Sequence, residues 1–68
     1  MNEETFNLSV RKFLKQFGVG AQREIEQAVQ EAIRAGKLKG TETLPAGATL
    51  RIATIGLEFT VDSEITLA

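Results

Sequence analysis

The chain has 68 residues, no cysteine, no histidine and a formal net charge of −1 at pH 7. That length allows one domain near the lower limit of what folds unaided. The missing residue types exclude disulfide stapling, the usual zinc, haem and iron–sulfur sites, and any triad built on His or Cys.

No apolar run approaches the roughly 20 residues that span a bilayer. The start, Met1-Asn2-Glu3-Glu4, is acidic where a signal peptide would be basic. A soluble, cytoplasmic protein with no membrane segment is expected. The small net charge hides an asymmetry: residues 1–39 hold seven of the eight bases against five acids, and residues 40–68 hold only Arg51 against four acids. A charge dipole of this kind can orient a partner or a second copy of the chain.

Asn2 is placed to cap a first helix, with Glu3 and Glu4 in the first turn where the helix dipole favours acids. Phe6, Val10, Phe13, Leu14 and Phe17 then recur on one helical face. Leu8 lies among Arg11, Lys12 and Lys15 on the opposite face, as an isolated exposed leucine or a contact point. Gly18 follows the last apolar residue, where a left-handed C-cap belongs, so the pattern predicts that the first helix ends there. A phosphate-cradling role for Gly18-Val19-Gly20 is rejected, because no strand precedes the glycines and no Gly-Lys-Ser/Thr follows.

A second helix is predicted from about Ala21 to Ala35, with Ile25, Ala28, Val29, Ala32 and Ile33 on its apolar face and Gly36 at its end. Opposite that stripe lie Arg23, Gln27, Gln30 and Arg34, the residue types that read base edges and phosphates. They are equally ordinary solvent residues of high helix propensity, and Glu24, Glu26 and Glu31 flank them. Residues 37 to 48 read as a connection, with Pro45-Ala46-Gly47 as a tight turn and Glu42 as a solvated acid.

From Leu50 to Leu67 the apolar residues alternate with polar ones, the period of a half-buried strand. With Ile55-Gly56 as its turn, a hairpin would set Leu50 against Val61, Ile52 against Phe59 and Thr54 against Leu57, and Arg51 diagonally from Glu58 and Asp62. Asp62-Ser63-Glu64 could instead turn the chain into a short third strand. The fold expected is α+β in the order ααββ: a two-helix hairpin packed on one face of a two- or three-stranded antiparallel sheet, in a single domain over residues 1–68.

The carboxylates Glu58, Asp62 and Glu64 share the outer face of the second strand, a spacing that could suit a divalent ion or an acid–base pair. A chain this short has little material for the cleft that would desolvate one of them, so a charged solvent face is the better reading. No catalytic residue, metal, cofactor or small-molecule substrate is assigned.

The stretches Thr5-Phe6-Asn7, Arg11-Lys12-Phe13-Leu14-Lys15, Gln22-Arg23-Glu24-Ile25-Glu26, Gly36-Lys37-Leu38-Lys39-Gly40, Glu42-Thr43-Leu44-Pro45 and Ile55-Gly56-Leu57-Glu58 together resemble a family of short, mainly proteobacterial proteins classed as a domain of unknown function. The resemblance covers nearly the whole chain. It implies a small bacterial protein of helices followed by strands, and it brings no activity and no site residues.

The leading functional expectation is a small non-enzymatic interaction module that binds a protein partner or a second copy, through a sheet edge or through Leu8, Arg51 and Ile55. The alternative is a winged-helix-like nucleic-acid binder with Arg23, Gln27, Gln30 and Arg34 on its recognition helix and the hairpin as wing. Against it stand the net negative charge, the acids beside that row and the absence of a third helix.

Overall fold

A single helix runs from Glu3 to Arg34 (α1) in the computed structural model, which describes residues 1–68. Its start follows the sequence reading. The Asn2 side-chain oxygen accepts the Thr5 amide at 3.1 Å, the Asn2 carbonyl accepts the Phe6 amide, and Glu3 and Glu4 fill the first turn. Its end does too. The Lys37 amide reaches back to the Ala32 carbonyl and the Gly36 amide to that of Ile33, with Gly36 at φ 78°, the double bond of a Schellman ending.

The interior of α1 corrects the expected pair of helices. Gly18 and Gly20 both lie inside the helix and neither has a positive φ. Two reasons favour continuity. Glycine in a helix costs only about 1 kcal/mol relative to alanine, whereas a break exposes the last carbonyls of one helix and the first amides of the next. The apolar pattern also stays in phase across the glycines: Phe17 and Ala28 follow Phe6 at 11-residue steps, Ala21 and Ala32 follow Val10, and Ile25 follows Leu14. Eleven residues make slightly more than three whole turns, so these residues share one slowly drifting stripe, with Val29 and Ile33 to one side of it.

The chain divides into two compact units, Met1–Lys37 and Leu38–Ala68. The second unit is a two-stranded antiparallel hairpin of β1 (Thr43–Ile52) and β2 (Leu57–Thr66). One helix followed by this hairpin therefore replaces the expected two-helix hairpin on a sheet. Residues 43 to 48 belong to β1, so Pro45-Ala46-Gly47 is strand and not turn. The Leu67 amide bonds the Glu42 carbonyl, and the alternation that follows puts Pro45 at a non-hydrogen-bonded position, where its lack of an N–H costs the ladder nothing. Asp62, Ser63 and Glu64 continue β2 opposite Gly47, Ala46 and Pro45, which removes the third strand.

The turn is longer than the two residues expected. Ala53–Ile55 form one turn of 3-10 helix closed by the Gly56 amide on the Ala53 carbonyl, with Gly56 at φ 65°. Pairing is consequently shifted by two residues, with Leu50 opposite Phe59 and Ile52 opposite Leu57. A shift of two preserves side-chain parity, so the faces expected from the alternation survive the wrong register. One face carries Leu44, Ala46, Ala48, Leu50 and Ile52 across from Ile65, Ser63, Val61, Phe59 and Leu57; the other carries the polar pairs. No residue of the chain is buried.

Candidate functional site

The row Arg23, Gln27, Gln30 and Arg34 does occupy one face of α1, as its spacing requires. The continuous helix extends that face beyond what the sequence reading found. Lys12, Arg23 and Arg34 fall at 11-residue steps, roughly 16 Å apart along the axis, with Gln16 and Gln27 in a parallel line. The spacing was visible in the sequence but was hidden by dividing the helix at Gly18. Lys12, Lys15, Gln16, Val19, Gly20 and Arg23 line a shallow, open depression on this side, floored where Gly20 has no side chain. Arg34 is drawn to Glu31 at 3.0 Å, an exposed pair of small energetic weight. A winged-helix arrangement needs a recognition helix set off by a turn from another helix. The unbroken α1 supplies no such turn.

Leu8 on α1 is 62% exposed and Ile55 at the tip of the hairpin is 70% exposed, so both are open apolar contact points. Arg51 stands directly opposite Glu58, not diagonally from two acids, and its guanidinium reaches the Glu58 carboxylate at 3.3 Å. Next to it the Thr49 and Thr60 hydroxyls bond each other across the strands at 3.0 Å. Asp62 faces Gly47, where a Cβ would come within 2.8 Å of its carboxylate oxygen. Glu58, Asp62 and Glu64 thus each meet a different partner on β1, and no group of three or more acids converges in metal-binding geometry.

Glu42 is the acid that the sequence reading mistook for a solvated one. Its carboxylate folds back over the loop before β1 and accepts the backbone amides of Lys39, Gly40 and Thr41 at 2.8, 2.9 and 3.1 Å. These bonds, the one from Lys39 foremost, hold its pKa below the usual 4.5. Gly40 at φ 99° gives the loop the left-handed bend that turns three successive N–H groups inward. A glycine two residues before the acid, ahead of a strand, was the available signal.

The largest chemical feature is apolar. Phe6, Val10, Phe13, Leu14, Phe17 and Ile25 lie exposed on α1, and Ile52, Leu57, Phe59 and Val61 lie exposed on one face of the hairpin. No helix is long and apolar enough to cross a membrane. A model of a family of unknown function, DUF6494, matches residues 1–68. No curated protein and no solved structure matches the chain.

Proposed function

The chain belongs to DUF6494, a family of unknown function, and from that premise we propose that it works as a small non-enzymatic interaction module that associates with itself. The observation that carries this reading is the absence of any buried residue in a single copy, although fifteen large hydrophobic side chains are exposed. Apolar surface of that extent on a small chain marks an interaction site. A fold of this size gains its missing core by association.

The apolar faces suit this role better than the sheet edges. Pro45 interrupts the outward N–H row of β1, and Glu58, Asp62 and Glu64 would set like charges together if two β2 edges paired. Non-enzymatic action accords with a chain lacking His and Cys whose acids sit on an open surface. Light scattering across a concentration series tests the reading. A mass of twice 7.4 kDa at micromolar concentration is expected. A monomer mass up to millimolar concentration would overturn it.

A second reading, nucleic-acid contact along the polar face of α1, draws on the aligned bases Lys12, Arg23 and Arg34. Amide shifts along Arg23, Gln27, Gln30 and Arg34 on adding short duplex DNA, weakening as salt rises, would favour it. No shift at low salt would remove it.

A further inference from the structure

Four stripe positions on each side of Val19 are related in mirror order along α1. Phe6, Val10, Phe13 and Phe17 precede Val19 by 13, 9, 6 and 2 residues, and Ala32, Ala28, Ile25 and Ala21 follow it by the same intervals. A twofold axis normal to the helix at that level sets these four pairs of positions of one copy opposite each other in the second, with Leu14 meeting the level of Glu24, and Val29 and Ile33 the levels of Ser9 and Thr5. The four pairs meet the condition for an isologous interface, in which residue i meets j and j meets i. We propose that two copies of this chain pair through α1, antiparallel, about such an axis. The proposal rests on the self-association reading above and names its surface and geometry.

Side-chain size selects the antiparallel arrangement. The pairs it forms are Phe6 with Ala32, Val10 with Ala28, Phe13 with Ile25 and Phe17 with Ala21, a large side chain facing a smaller one at most levels. Facing large against small is how close-packed layers interdigitate. A parallel pair in register would set phenylalanine on phenylalanine through the N-terminal half and alanine on alanine through the C-terminal half. One end would be overpacked and the other left with gaps.

Two further features agree. Gly18 and Gly20 lie on the two shoulders of the stripe at its midpoint, and the space beside each is open. Neither therefore adds a side chain beside the Phe17–Ala21 pair at the centre of the interface. Residues 3–17 hold three bases and two acids, whereas residues 21–34 hold two bases and three acids. Antiparallel pairing sets these halves against each other and opposes the helix dipoles.

The surface is large enough. Phe6, Phe13 and Phe17 are 51%, 51% and 54% exposed; at about 200 Å² per ring they offer roughly 300 Å² per copy. With Val10, Leu14, Ile25 and the alanines added, two copies bury on the order of 1,000 Å², the threshold for a specific interface.

The chain has no cysteine, so engineered thiols report cleanly. Chains carrying Val10→Cys and Ala28→Cys are oxidised separately and as an equimolar mixture. The mixture is expected to give a disulfide-linked dimer. Val10→Cys alone is not, because its two thiols would lie about 27 Å apart along the axis, far beyond disulfide reach. A parallel pair would instead cross-link each substituted chain to itself, both alone and in the mixture.

Spin labels at Lys12→Cys and Gln30→Cys, both off the stripe, check the geometry without touching the interface. Axial separations of about 21 and 33 Å are expected from the helix rise, where a parallel pair would give equal distances. Light scattering of the unsubstituted chain separates the two claims. A monomer mass overturns self-association and this geometry together. A dimer mass with equal label distances, or with cross-linking of Val10→Cys to itself, overturns the antiparallel helix pair and leaves self-association standing.

Discussion

Glycine means opposite things at different places in this chain, and substitution should show it. Gly18 and Gly20 have helical backbone and open space beside them, so Gly18→Ala and Gly20→Ala should each raise the helix stability of the dilute, unassociated chain by about 1 kcal/mol. Circular dichroism at low concentration reads that gain. Gly56 has φ 65° at the hairpin turn, and Gly56→Ala should cost about 1–2 kcal/mol, because a Cβ crowds the following carbonyl in the left-handed region. Glu42 should act through pH. Its folded pKa is depressed by backbone N–H bonds, so its contribution is present above the unfolded pKa and is lost as pH falls through the folded value. Glu42→Gln should therefore lower the melting temperature at pH 7, and the gap to the unsubstituted chain should close in acid. A gap that persists at pH 2 would show that the carboxylate charge is not what holds the loop.

At the scale of elements, the ends of α1 were legible in the sequence and its middle was not. Asn2 and Gly36 each close the helix with the hydrogen bonds their residue types predict. Asn2→Ala should fray the first turn at a cost of about 1 kcal/mol, seen as faster amide exchange at Glu4 to Phe6. Gly18 carries the same local signal as Gly36, yet a stripe that continues in phase outweighs one unfavourable residue. Continuity predicts that the amides of Val19 to Arg23 are as protected as their helical neighbours; exchange at loop rates there would restore the two-helix division. The hairpin shows the complementary limit. Alternation specifies which residues share a face, but pairing depends on turn length, and a four-residue turn at Ala53–Gly56 shifts the register by two with no change of face. Glu42 escaped notice because its partners are backbone amides, which residue types do not advertise.

At the scale of the whole molecule, the candidate surface is the part that association would complete. If self-association supplies the missing core, the melting temperature should rise with protein concentration, since mass action favours the state that binds. A melting temperature constant from micromolar to millimolar concentration would contradict that. Phe17→Ala should then lower both the dimer affinity and the melting temperature measured at high concentration. Well below the dissociation constant of the dimer, where copies separate, its effect on the melting temperature should shrink.

The sequence by itself determined the residue-scale chemistry and the faces: the caps at Asn2 and Gly36, the apolar stripe, the two-sided hairpin and the absence of histidine and cysteine. Those follow from local periodicity and residue type, which act over a few positions. The tertiary structure decided the unbroken helix, the register of β1 on β2 and the capture of three amides by Glu42. Each is a competition between local preference and bonds formed with other parts of the chain, and the balance between them can be read only once those bonds are in place.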